Sequence, residues 1–213
     1  MSKSVDLIAI GSGAAASGVA MKCQKVEWSV APVDSQPLGG TFAVRGCDPK
    51  KVLVAATEVL DWTERLKGKG IRSAEAKIDW RELVRFKRSF TEPVPASREK
   101  SFTRAGIEVF HGRAHFVGSS TIDANGETLK ARYVHIGAGA KPMELGIPGC
   151  EHLTTNTQFL ELGDLSRRLL FVGGGYISFE FGAHGGSGWS TSAPRSALWT
   201  STSRRSSATC RCS

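Results

Sequence analysis

Two glycine-rich turns carry the clearest chemical signal in this sequence. The first is Gly11-Ser12-Gly13-Ala14-Ala15-Ala16, and the second, about 160 residues further on, is Gly173-Gly174-Gly175-Tyr176-Ile177-Ser178. Each follows a short apolar run, Val5 to Ile10 and Leu169 to Val172. A glycine at the first position permits a tight strand-to-helix turn. One at the third lets a ligand approach the backbone, and a small residue at the sixth lets helix and strand pack closely. The amides and positive dipole at the start of the following helix then suit a pyrophosphate. After the first turn an Ala-rich stretch reads as helix to about Glu27, and a second apolar run, Val30 to Val33, ends in Asp34, 23 residues after Gly11. An acid at that spacing is placed to hydrogen-bond a ribose hydroxyl. Strand, turn, helix, strand and acid together predict a bound dinucleotide at Gly11, Gly13, Ala16 and Asp34. The second turn, with Gly173 and Gly175, predicts another nucleotide site. No Asp or Glu stands beyond residue 184, where its ribose-reading acid should lie, so that site reads as a stub.

Thiol and metal chemistry are sparser. Cys23, Cys47, Cys150, Cys210 and Cys212 are odd in number and spread out, which predicts reduced thiols and a cytoplasmic location rather than a secreted disulfide framework. Cys47 lies in Gly39-Gly40-Thr41-Phe42-Ala43-Val44-Arg45-Gly46-Cys47-Asp48-Pro49-Lys50-Lys51. Helix surroundings and Lys50, three residues on, favour its thiolate; the alternative is a buried small hydrophobe. His111 and His115 are four residues apart, but in a segment that reads as strand and turn, and Cys210-x-Cys212 is too close for a CxxC motif. No metal site is expected. Without a Gly-x-Ser-x-Gly elbow or a Walker lysine, hydrolase and NTPase chemistry have no support.

The first turn, Gly39-Gly40-Thr41 and Gly46-Cys47-Asp48-Pro49-Lys50 together resemble the class I pyridine nucleotide–disulfide oxidoreductases, the family of glutathione reductase, dihydrolipoamide dehydrogenase and mercuric reductase. The resemblance runs from residue 5 to about 181. Tyr133-Val134-His135-Ile136-Gly137-Ala138-Gly139 is similar to the family segment usually written Ala-Thr-Gly, with Ala138 in place of its threonine. The resemblance implies an α/β fold: a Rossmann-like three-layer FAD-binding domain over 1–150, then the first strand and turn of a Rossmann-like NAD(P)-binding domain over 151–184. It implies FAD held by Gly11, Gly13, Ala16, Asp34, Gly40, Thr41, Gly137, Gly139 and the backbone at Ala114, and NAD(P)H at Gly173 and Gly175. It also implies that Cys47 is the flavin-side thiolate, and that Lys50 stands near the flavin paired with Glu180. The family's second redox cysteine falls at position 42, which is Phe42 here, so Cys47 has no intramolecular partner to cycle with.

The same resemblance implies an oxidoreductase acting on a small-molecule substrate, and a homodimer whose C-terminal domain supplies a His-Glu acid–base pair. No counterpart of that domain follows residue 181, so the chain reads as a truncated, impaired reductase. The alternative is a non-catalytic module that binds FAD or another dinucleotide, or binds nucleic acid through a basic tail.

The elements expected between these motifs are short. Asp79 followed by Glu82 has capping-box spacing and predicts a helix through Leu83, Phe86 and Phe90 that Pro93 and Pro95 end near residue 92. Ile107 to Phe110 and Ala114 to Val117 read as strands, and Asn125-Gly126 as a hairpin turn before Thr128-Leu129. The net charge of +8 first points to nucleic acid, but residues 185–213 hold four arginines, no lysine and no acid, half of that charge. This serine-rich stretch shows no periodicity and reads as an irregular low-complexity tail, disordered or frameshifted. Back-translation of residues 182–190 and removal of one base gives Ala-His-Met-Ala-Ala-Arg-Ala-Gly, compatible with a continuing helix; resequencing the locus tests that hypothesis. With the tail set aside, a nucleic-acid partner is not expected. Nor is a membrane partner, since no apolar run approaches the roughly 18 residues of a span.

Overall fold

The computed structural model describes residues 2–72, 77–166, 169–173, 175–186 and 209–212. They fall into two compact units interleaved along the chain: Met1–Cys47 with Phe90–Ala140, and Asp48–Ser89 with Lys141–Ser213. The segment 48–89 thus groups with the chain after residue 140, whereas the linear reading places it in a 1–150 domain.

The first unit is built on a mixed six-stranded sheet. Its strands are β1 (Ser2–Ile10), β2 (Val30–Asp34), β3 (Phe110–His111), β4 (Ala114–Gly118), β5 (Thr121–Ala124) and β6 (Glu127–Ile136), in the order β3-β2-β1-β6-β5-β4. β1 runs parallel to β2 and β6, and β2 parallel to β3, so the carboxyl ends of four strands open on one edge. β4, β5 and β6 form an antiparallel meander. Its turn is Asn125-Gly126, both with positive φ (54° and 85°), the geometry that lets a two-residue loop follow the strand twist.

Side chains of β1 alternate between two cores, as a strand's period of two requires. Leu7 and Ala9 pack with Ala16 and Ala20 of helix α1 (Ala14–Gln24) and with Phe102 of helix α4 (Val94–Arg104). Ile8 packs on the other side with Ala31, Val33 and Phe110, and with Ile122, Ala124, Leu129 and Ala131 of the meander. The sheet therefore curls: the meander folds over the parallel strands, and β3 and β4, at opposite edges, are joined through Gly112 and Arg113 alone. This is the α/β, Rossmann-like architecture expected of the sequence. Two boundaries move. α1 ends at Gln24, before the left-handed Glu27, and the third strand is Phe110–His111 rather than Ile107 to Phe110. The Ile107 amide instead donates to Phe102 O at 2.9 Å to close α4.

The second unit holds α2 (Cys47–Arg65, entered from the first unit), most of α3 (Trp80–Thr91), α5 (Asn156–Phe159) and α6 (Tyr176–Gly186). Its strands β7 (Thr154–Thr155), β8 (Leu169–Val172) and β9 (Thr209–Cys212) form a sheet in the order β7-β9-β8, with both pairings antiparallel. Leu53, Phe159, Leu160 and Phe181 form its core, joined by Trp80, Leu83 and Phe171. The Asp79 cap holds: Glu82 N donates to Asp79 Oδ1 at 2.9 Å, and α3 stops at Thr91, before Pro93. Lys87, fully buried, donates to Leu160 O at 2.8 Å and pairs with Glu161. The tail departs from expectation at Thr209–Cys212, which is strand, because β7 and β8 offer it two partners that a four-residue pattern cannot announce. The rest of the reading for 187–208 lies outside the described residues.

Candidate functional site

The first glycine turn sits where β1 leaves the sheet between its two parallel neighbours. Gly11 N donates to Val33 O at 2.7 Å and Gly137 N to Ile10 O at 2.9 Å. Gly11 has φ +105°, and a Cβ there would stand 2.4 Å from Gly137 O. A Cβ on Gly137 would in turn meet Ala16 Cβ at 2.9 Å, and one on Gly40, at φ +72°, would meet Gly13 Cα at 2.4 Å. Gly11, Gly13, Ala16, Gly40 and Gly137 are thus brought together from three chain segments, each shaving off side chain where another backbone passes. Gly139 (φ +73°) is exposed with open space where its Cβ would be, and Thr41 is exposed at the start of a π-helical turn, Thr41–Arg45.

Asp34 closes the turn from the end of β2. Its Oδ2 accepts from Ser12 N at 2.8 Å and Ser12 Oγ at 2.6 Å, and its Oδ1 accepts from Gln36 N at 2.9 Å. Ser12, fully buried, also accepts from Gly39 N at 3.1 Å, while its carbonyl accepts from Ser17 Oγ at 2.6 Å. Ser12, at the second position of the turn, carries no signal of its own in the sequence, yet it ties the turn, the acid and the Gly39-Gly40 loop into one network. Three of the roughly four acceptor positions of the Asp34 carboxylate are taken, leaving one for a ribose hydroxyl. Beside it lies a cleft of about 430 Å³ lined by Asp34–Pro37, His111–Arg113 and Asn125. Ala114 does not line it; it begins β4 next to Arg113, opposite Ala124.

These residues fit a pyrophosphate-bearing cofactor. Gly13 at the N-cap has no side chain to cap α1, and no acid stands in the first turn, so the leading amides suit an anion. A Cβ on Gly13 would touch only Gly40 Cα, at an ordinary 3.6 Å, and Gly13 has φ −70°, so packing within the protein does not demand glycine there. What the missing side chain leaves clear is the space over the helix start. His135 Nε2, buried near Gly137, has no hydrogen-bond partner among the described residues.

In the second unit Lys50 and Glu180, 130 residues apart in sequence, form an ion pair. Lys50 is 8% exposed, and its Nζ also lies 4.7 Å from the centre of the Tyr176 ring. Cys47, a half-buried free thiol, is the first residue of α2, whose first turn carries Lys50. Phe42 is 55% exposed. The second glycine turn joins β8 to α6, with Gly173 at φ +110°; Gly174 lies outside the described residues. Ser178, at the sixth position, is buried, and its hydroxyl has no partner among the described residues. Among the described residues no cluster of His, Cys, Asp and Glu is able to hold a metal ion, and no helix is long and apolar enough to cross a membrane.

Comparison with known proteins gives this arrangement its family. The family profile described as pyridine nucleotide-disulphide oxidoreductase matches residues 5–186. The chain is 32% identical over 145 residues to a glutathione reductase of Pisum sativum, covering 68% of this chain and 26% of that protein. It is 31% identical over 180 residues to a mercuric reductase of Lysinibacillus sphaericus (83% and 33%) and 27% identical over 183 residues to a dihydrolipoyl dehydrogenase of Mycoplasma genitalium (83% and 40%). The chain belongs to the pyridine nucleotide–disulfide oxidoreductase family, whose members are flavoproteins that use pyridine nucleotides. It spans about a quarter to two-fifths of the length of these relatives.

Proposed function

We propose that the chain binds FAD on its first unit and descends from NAD(P)H-dependent reductases acting on a disulfide, a lipoyl group or a metal ion. The observation that carries this reading is the glycine cradle around an uncapped helix start, with Asp34 and the adjoining cleft beside it. The α1 amides hold the pyrophosphate, and Asp34 accepts from a ribose hydroxyl with its remaining lone pair. Gly40, Thr41, Gly137 and Gly139 border the cofactor by backbone, as does the chain at Ala114. FAD, when bound, supplies two-electron chemistry between a nicotinamide and a thiol. Lys50, held by Glu180, supplies the positive charge that such chemistry needs, and Cys47 supplies the thiolate. Gly173 and Gly175 border the nicotinamide nucleotide. A homodimer and a linear division at residues 150 and 184 belong to the same proposal.

Phe42 sets the expected limit. Disulfide exchange needs an attacking thiolate and a resolving partner, so turnover of disulfide substrates is absent. That residue also favours a second reading, a flavin-binding module without catalysis. The test is the visible spectrum of the purified chain followed by NAD(P)H addition under anaerobic conditions. A flavin spectrum that bleaches supports the reductase reading, and one that persists supports the module. A folded chain that neither carries nor rebinds FAD contradicts both.

A further inference from the structure

The curl of the first unit's sheet has a clasp. Asn125, in the β5–β6 turn, sends its side chain to the opposite edge of the sheet, where Nδ2 donates to His111 O at 3.0 Å. The same amide lies against Gly112, where a Cβ would stand 2.8 Å from Asn125 Cγ. At φ 54° the residue occupies the left-handed region that asparagine tolerates better than other side chains. Gly126 N donates to Asp123 Oδ1 at 3.3 Å, which fixes the turn from its other side. The contacts of Asn125 therefore fall on the last residue of β3 and the first residue of the two-residue link to β4.

This link also lines the 430 Å³ cleft, together with His111, Asn125 and Asp34 to Pro37. The peptide between His111 and Gly112 is held from both sides: Gly112 N donates to Asp34 O at 2.9 Å, which ties it to β2, and His111 O accepts from the Asn125 side chain, which ties it to the meander.

We propose that Asn125 is a positioning residue for the adenosine half of the dinucleotide: its side-chain amide sets the width of the cleft beside Asp34 by holding the His111–Arg113 wall. The proposal rests on the FAD reading above. Turn and clasp are separable by substitution. Asn125→Gly keeps the left-handed turn and removes the amide, and Asn125→Asp keeps the shape but turns the donor into an acceptor facing the His111 carbonyl. Gly112→Ala pushes a methyl into the same amide from the other side.

The experiment measures FAD and ADP affinity of the full chain, these three variants and the Gly112→Ala/Asn125→Gly double variant, with unfolding midpoints in parallel. Both asparagine variants are expected to weaken FAD and ADP alike by about tenfold, equivalent to about 1.4 kcal/mol. Gly112→Ala combined with Asn125→Gly should bind no worse than the weaker single variant, because both act on one contact. Equal affinities in wild type and both asparagine variants overturn the positioning role. So does an effect on FAD without one on ADP, or a loss that tracks only the folded fraction. A wild-type chain that binds neither ligand overturns the cofactor reading itself, which separates the two failures.

Discussion

Two turns of the same glycine pattern stand in very different surroundings. Around the first, β1 has a parallel strand on each side, and backbone from three segments closes in on Gly11, Gly13 and Ala16. The acid expected for the ribose is present, and it is anchored by Ser12. Around the second, β8 pairs antiparallel with β9, and the sixth position is Ser178, whose buried hydroxyl finds no partner among the described residues. At the corresponding place in the first turn Ala16 offers a methyl to Gly137, and the nearby Ser17 hydroxyl donates to Ser12 O at 2.6 Å. The pattern alone makes a strand-to-helix turn. What suits the first turn to the proposed nucleotide is the set of backbones that the rest of the fold brings alongside.

The comparison can be broken most severely at Gly11. Gly11→Ala combines a strained left-handed conformation with a 2.4 Å approach to Gly137 O, and should cost the first unit about 3–5 kcal/mol. Denaturant unfolding checks this, and a loss under about 1 kcal/mol would mean the cradle is looser than described.

A swap at the sixth positions sharpens the contrast. Ser178→Ala removes an unsatisfied buried hydroxyl and should stabilise the second unit by about 1 kcal/mol, whereas Ala16→Ser imports that defect into the first turn and should destabilise it by about 1–3 kcal/mol. Opposite signs in the two unfolding curves are the expected result; equal signs would show that the two positions are not packed differently.

The smallest effect concerns acid stability in the middle of β1. The Ser29 hydroxyl, and then its amide, hold the exposed Asp6 carboxyl below the usual carboxylate range. Because the folded value is depressed, this contribution is present above the ordinary carboxylate pKa and fades as pH falls through the folded one. Ser29→Ala should lower stability slightly at neutral pH and converge on wild type in acid, below the folded pKa, so that the acid limb of the stability profile becomes shallower, as a pH series of thermal melts would show.

Elements governed by local chemistry were legible in the sequence. The β1–α1–β2 succession, the Asp79 cap, the stop before Pro93 and the Asn125-Gly126 turn each depend on residues within a few positions of one another. Features set by distant pairing were not. β3 consists of Phe110 and His111 because those residues meet Val33 and Asp34, which no local pattern encodes. The spacing marks Asp34 as a ribose acceptor, but its engagement with Ser12 and Gln36 depends on where the turn lands after folding. The approach of Lys50 to Glu180 came through family resemblance, since periodicity does not reach across 130 residues. The interleaving of the two units likewise arises from contacts between separated segments.

Gly13 offers the most direct test of the central claim, that the first turn is built for a dinucleotide. Its backbone is not left-handed and a methyl there meets only Gly40 Cα at 3.6 Å, so Gly13→Ala should fold within about 1 kcal/mol of wild type. The same methyl occupies the space left over the uncapped start of α1, so titration with FAD should show at least about tenfold weaker binding, a difference of about 1.4 kcal/mol. A stable Gly13→Ala chain that binds FAD as tightly as wild type would contradict the account.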